Sequence, residues 1–191
     1  MDRKKLTSAE KEILLKIARR ALEEKICGDE HLPLNAETQA TPLLQADGAT
    51  FVTLRIKGEL RGCVGTLEAY RPLTQDVRKH ALAAALNDHR FLKVQAHELD
   101  QIDIEISRLT PPAPLDYIDA DDLLKKLRPN IDGVIIKDGH RRATFLPQVW
   151  EQLPKTEDFL YHLCKKMGGS GNLWQDKKLD ILIYQVEEFK E

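Results

Sequence analysis

The sequence is short of cysteine, of long apolar runs and of excess charge, and each shortage removes a class of protein. The longest strictly apolar run is Ala81–Leu86, six residues and mostly alanine, whereas a membrane-spanning helix needs about 20. No apolar segment follows Met1-Asp2-Arg3-Lys4-Lys5, so no secretory signal is expected. Cys27, Cys63 and Cys164 lie far apart with no C-x-x-C spacing. That argues against a disulfide framework and against a compact zinc site. Free thiols in a cytoplasmic protein are the expectation. The net charge of −2 and pI of about 6.3 give no electrostatic reason for non-specific nucleic-acid binding. None of the ten glycines forms G-x-G-x-x-G or G-x-x-x-x-G-K, so no nucleotide-binding fingerprint is present. Ser170 lacks the G-x-S-x-G spacing of a nucleophile elbow and reads as a loop serine.

What remains is an ordinary globular composition, 42% apolar and 31% charged over 191 residues. That is enough to bury a core without covalent staples. The first segment reads as a helix. Thr7 and Glu10 make a capping box, Leu14, Ala18, Leu22 and Ile26 recur at helical spacing, and Gly28 is a plausible stop. Residues 29–49, with Pro33, Pro42 and Gly48, read as an irregular connection. Phe51–Lys57 alternates, Gly58-Glu59 turns, and Leu60–Leu67 continues, which is a β-hairpin signal. Pro72 opens a helix to about Asn87, with Leu73, Val77, Ala81 and Ala84 on one stripe.

Ile102, Ile104 and Ile106 alternate with polar residues, predicting a half-buried strand that Thr110-Pro111-Pro112 stops. A short helix capped near Asp119 follows. Val134–Lys137 and His140–Leu146 flank Asp138-Gly139, which suits a type I′ turn. Pro147 and Pro154 look like helix starts, and the helix near Thr156–Met167 buries Phe159, Leu160, Leu163 and Met167. Gly168–Gly171 reads as a flexible loop. Leu179–Val186 is apolar on both parities, as a central strand would be. Helices and hairpins alternate without a βαβαβ rhythm, so the class is α+β with mixed, mostly antiparallel sheets. No internal repeat is visible. The expected organisation is one domain over 1–191 with two intimate subdomains, about 1–110 and 111–191.

One segment is chemically suggestive: Leu60-Arg61-Gly62-Cys63-Val64-Gly65-Thr66-Leu67. On a regular strand Arg61, Cys63 and Gly65 share one face, and Leu60, Gly62, Val64 and Thr66 share the other. Arg61 then lies about 6–7 Å from Cys63 along the strand, and a guanidinium at that range favours thiolate. Gly62 and Gly65 mark a bulge, a bend or a close approach. Cys63 is thus a candidate nucleophile, with Arg61, Gly62, Gly65 and Thr66 around a small electrophilic or anionic substrate. The plainer reading is that cysteine is a small apolar filler and that the glycines let the next helix pack closely. Glu105, on the polar side of its strand with Asp103 and Ser107, is the second catalytic candidate, since it could orient or deprotonate a partner; a solvated strand face is the alternative. His80 lies on the helix stripe, as a base or as packing. His162 and Cys164 point to different helix faces and make poor co-ligands. His31, His97 and His140 show no metal spacing. Arg141-Arg142 and Lys165-Lys166 could attract phosphate or RNA.

At Leu60–Thr66 the chain resembles the LRGCIGT signature of the AMMECR family, named after the Alport syndrome, midface hypoplasia and elliptocytosis chromosomal region. It is most similar to the AmmeMemoRadiSam system protein A group. Phe51-Val52-Thr53-Leu54, Arg71-Pro72-Leu73, Asp103–Ser107, Leu127-Arg128-Pro129, Asp132-Gly133-Val134, Arg142–Trp150 and Leu163–Lys166 add to the resemblance over roughly 5–190. It implies a two-subdomain α+β fold, a conserved cysteine at Cys63, no known required cofactor and no established activity. The group is named for co-occurrence with a Memo-like and a radical SAM protein. Asp88-His89-Arg90-Phe91-Leu92 departs from a pattern nearer Asp-Pro-Arg-Phe-Pro, so His89 is not carried over as a family residue. Two functions follow: an enzyme-like protein acting on a small substrate through a slot containing Cys63, or a non-catalytic module. The module would serve Memo-like and radical SAM partners or act as an RNA-binding accessory.

Overall fold

The computed structural model of the chain describes residues 5–28 and 41–191. The readings that rest on His31 and Pro33 lie outside the described residues. The chain divides into two compact units. One runs to Leu109 and takes in Glu187–Glu191; the other is Thr110–Val186. Helices and two four-stranded sheets make this an α+β fold.

The first unit begins with α1, Ser8–Cys27. Its capping box forms, with Thr7 Oγ1 accepting from Glu10 N at 3.2 Å and Glu10 Oε2 accepting from Thr7 N at 2.8 Å. Gly28 ends the helix in the left-handed region at φ +77°. Residues 41–49 are more regular than the sequence suggests. Thr41 caps a single helical turn, α2, Pro42–Gln45, and Leu44 is fully buried. The turn is too short to show periodicity.

β1, Ala49–Ile56, and β2, Glu59–Gly65, form the expected hairpin. The turn lies one residue early, at Lys57-Gly58, because both residues hold the positive φ of a type I′ turn. Then come α3, Leu73–Leu86, and β3, Ile102–Leu109. The stripe Leu73, Val77, Ala81 and Ala84 is buried with Val52, Leu54, Ile104 and Ile106, so α3 covers one face of the sheet.

In the second unit β4 is only Ala113–Pro114, and α4, Ala120–Lys126, is capped by Asp119 as expected. β5, Gly133–Asp138, and β6, Arg141–Phe145, form the second hairpin. Its turn is Gly139-His140, and Gly139 alone has positive φ, the pattern of type II′ rather than type I′. Pro147 opens a 3-10 turn, whereas Pro154 precedes the helix α5, Thr156–Lys166. A last helical turn, α6, Leu173–Asp176, leads to β7, Asp180–Tyr184. β7 sits inside its sheet, ordered β4-β7-β5-β6. The apolar run beyond it does not continue one strand. The chain breaks at Gln185 and enters β8, Val186–Lys190, which closes the first sheet in the order β2-β1-β3-β8.

Candidate functional site

The register of β1 builds the site. β1 pairs in register with β3, Thr53 opposite Glu105 and Leu54 opposite Ile104. Against β2 the register shifts by one: Thr53 faces Cys63 and Leu54 faces Gly62, but Arg55 faces Leu60. Arg61 is the extra residue of a β-bulge. The bulge corrects the face assignment, because alternation resets there. Leu60 joins Cys63 on the face away from α3 and is 36% exposed, while Gly62 and Val64 stay on the α3 face.

Cys63, Thr53 and Glu105 therefore form one row across three strands on the outer face. Thr53 Oγ1 donates to Cys63 Sγ at 3.3 Å. The Cys63 main chain turns away from β1. Its N–H donates to Asp88 Oδ2 at 2.9 Å and its carbonyl accepts from Arg90 Nη2 at 3.3 Å. Thr53 and Cys63 are thus the non-hydrogen-bonded kind of pair, in which Cα atoms approach to about 4.5 Å and side chains meet. Asp88 and Arg90 are locked together, Nε to Oδ1 at 2.9 Å and Nη2 to Oδ2 at 2.7 Å. This clasp offers an acceptor and a donor to the edge of β2, as a further strand would.

The structure places the other sequence-derived residues as follows. Arg61 forks onto Glu98, Nε to Oε1 at 2.7 Å and Nη2 to Oε2 at 3.0 Å, and Nη1 donates to Leu92 O. Its charge is taken up by Glu98, whose acid the Arg61 guanidinium holds below the usual carboxylate range. Glu105 shares the row of Cys63 but stands two strand spacings away, about 10 Å between backbones. It pairs with Arg55 at 3.5 Å. Gly62 is a close approach: a Cβ there would lie 2.2 Å from Ala84 O on α3. Gly65 is covered by the Phe51 ring, 2.3 Å from where its Cβ would be. Thr66 lies past the end of β2, and its hydroxyl accepts from Glu68 N at 3.2 Å to close a turn. His80 is buried on the α3 side of the sheet, with Nδ1 3.1 Å from Asp76 Oδ2. Asp76 Oδ2 also accepts from Thr50 N and Thr50 Oγ1. The sheet separates this cluster from the thiol, so His80 packs and does not serve Cys63 as a base.

Thr53, Asp88 and Arg90 were not singled out from the sequence. Thr53 carried a signal, since it alternates opposite the strand that holds Cys63. Asp88 and Arg90 come from 25 and 27 residues further on, delivered by the end of α3, and only their likeness to the Asp-Pro-Arg pattern marked them. In the second unit at least one member of each basic pair is engaged: Arg141 with Asp138 and Gly168 O, and Lys166 with Thr144 O. Cys164 is buried on α5 and His162 is exposed.

The clasp has a testable charge. Arg90, hydrogen-bonded to Asp88, holds the Asp88 acid well below its ordinary value of 3.8, and the Cys63 N–H adds to this. A lowered folded value stabilises the fold above the unfolded value and loses that contribution as pH falls toward the folded one. Asp88→Asn is therefore expected to lower stability at pH 7 and to lose less at pH 3. Urea unfolding at both pH values checks this; an equal loss at both would rule out the charge.

A family model described as AMMECR1 matches residues 15–189. A protein of Methanothermobacter thermautotrophicus is 36% identical, covering 97% of this chain and 96% of its own. One of Thermofilum pendens is 32% identical, covering 98% and 92%. The crystal structure of an uncharacterized protein from Pyrococcus horikoshii superposes with a TM-score of 0.81 at 30% identity, covering 97% of this chain and 93% of that one. With the fold, the full-length relatives and the family model in agreement, the chain belongs to the AMMECR1 family.

Proposed function

We propose that the outer face of the first sheet at Cys63 is a binding site for a small electrophilic or anionic molecule, with the thiol as nucleophile. We also propose that the chain is of the AmmeMemoRadiSam protein A kind. The observation that carries the reading is the Cys63 side chain, half-buried, with Thr53 donating to its sulfur and its backbone clasped by Asp88 and Arg90. A nucleophile held in one geometry on a rigid element needs no reorganisation before attack. Arg90 keeps 58% of its side chain in solvent beside the thiol, where it can meet an anionic group. Glu105 stands too far along the row to take the proton directly, and its partner Arg55 reaches Gly58 O at the hairpin turn, so the proposal gives Glu105 no part in the attack.

The test is alkylation by iodoacetamide at pH 7. Cys27 is exposed and is removed as Cys27→Ser, and Cys164 is buried, with burial pushing its thiol up. Cys63 is expected to react several-fold faster than a simple model thiol, and Thr53→Val is expected to slow it. A rate no greater than the model thiol overturns the nucleophile. It would leave the non-catalytic reading, which one observation favours: Leu60 and Leu92, 36% and 88% exposed, flank Arg61. Exposed leucines beside this site suit docking of a Memo-like or radical SAM protein.

A further inference from the structure

A cavity of about 300 Å³ lies within the second unit, lined by Pro114–Tyr117, Lys137 and Lys178–Leu182. That is the lower end of the range for small-ligand sites. Lys137, Asp180 and Leu182 reach it from the sheet face turned away from the core, while Tyr117, Leu179 and Ile181 belong to the core cluster behind it. Lys137 is directly opposite Asp180, and Leu182 is opposite both Ile135 and Pro114, so these side chains share a face that Ile136 and Ile181 do not. Ile136 and Ile181 point into the core cluster instead.

One wall is preformed. The buried Tyr117 hydroxyl donates to Leu179 O at 2.9 Å and accepts from Leu179 N at 2.7 Å. Lys178 Nζ lies 5.5 Å from the Tyr117 ring centre. Pro114 and Leu182 supply an apolar surface. Four charges surround it, Lys137, Lys178, Asp116 and Asp180, and among the described residues no salt bridge joins any of them. Lys137 is half-buried, whereas Asp116, Lys178 and Asp180 are exposed, so all four are within reach of a ligand from solvent.

The charge pattern selects the ligand. A dianion would meet two carboxylates, and a simple cation would meet two ammonium groups. A molecule carrying one charge of each sign satisfies both pairs. We propose that this cavity binds a small zwitterion of the amino-acid kind. Its carboxylate lies on Lys137 and Lys178, its ammonium faces Asp116 and Asp180, and an apolar side chain rests on Pro114 and Leu182. The proposal is independent of Cys63.

Titration of the full chain with L-leucine, followed by backbone amide NMR, tests it. The comparison probes are 4-methylpentanoate, which lacks the amine, isopentylamine, which lacks the carboxylate, and inorganic phosphate. Saturable shifts are expected at residues 114–117, 137 and 178–182 with L-leucine. Each single-charge analogue is expected to bind about tenfold more weakly, the effect of losing one ion pair worth roughly 1.4 kcal/mol. Lys137→Met and Asp180→Asn, two variants on opposite charges, should each weaken L-leucine by about the same factor with the rest of the spectrum unchanged. Absence of saturable shifts at about 10 mM L-leucine, a level that reveals millimolar affinity, overturns the proposal. So does equal binding of the analogues, tighter binding of phosphate, or wild-type affinity in both variants.

Discussion

Gly62→Val is expected to destabilise the first unit by about 3 kcal/mol or more, the upper end of what forcing atoms into a packed interior costs. A Cβ at position 62 would lie 2.2 Å from the Ala84 carbonyl oxygen and 3.0 Å from its carbon. Both are backbone atoms of α3, so no side-chain rotation relieves the contact. α3 cannot easily withdraw either, because Leu73, Val77, Ala81 and Ala84 are all buried in the core. The same close approach lets the chain just past α3 bring Asp88 to within 2.9 Å of Cys63 N. The substitution should therefore also loosen the clasp and change the Cys63 alkylation rate. Urea unfolding measures the first effect. A loss below about 1 kcal/mol, the size of a tolerated core swap, would mean that α3 shifts freely and that Gly62 is not the residue that positions it.

Trp150→Ala is expected to cost the second unit about 3–5 kcal/mol, the range for truncating a buried large aromatic. Trp150 is fully buried and stacked on Phe159 at 3.6 Å between ring centres, with planes 7° apart. Its Nε1 donates to Asp132 O at 2.7 Å. Asp132 is itself fully buried, and its carboxylate holds Arg128 N, Nε and Nη2. Alanine leaves a cavity and an unpaired carbonyl. Trp150→Phe leaves the same carbonyl unpaired but retains most of the aromatic surface, so it is expected to cost less than alanine, with about 1–2 kcal/mol of its loss coming from the hydrogen bond. Equal losses in the two variants would place the energy in the hydrogen bond and not in the packing.

These residues also explain several of the stretches that resemble the family. Arg128, Asp132 and Trp150 tie the approach to β5 to the 3-10 turn after β6. Gly133 lets the Tyr184 ring pass 2.4 Å from where its Cβ would be, and the Tyr184 hydroxyl donates to Phe145 O. Such stretches read as structural, whereas Asp88 and Arg90 converge on the main chain of Cys63.

The local elements were legible in the residues themselves. Thr7 with Glu10 announced α1, Asp119 announced α4, and Ile102, Ile104 and Ile106 announced a strand polar on one side. Caps and alternation act over one to four residues, so the sequence carries them openly. The octapeptide around Cys63 also stood out unaided. Its meaning depended on neighbours that sequence spacing does not reveal. The bulge at Arg61 is a mismatch between two strands, visible only when β1 lies beside β2, and it turned Leu60 outward and sent Arg61 to Glu98. The partners of Cys63 come from Thr53, ten residues before it, and from Asp88 and Arg90, well after it. The apolar run Leu179–Val186 looked like one strand and became two, in different sheets, broken at Gln185. Short-range propensity determined which segments are helix or strand. Which side chains meet was decided by strand register and by how closely α3 could approach Gly62, because contacts between distant residues follow from packing whole elements.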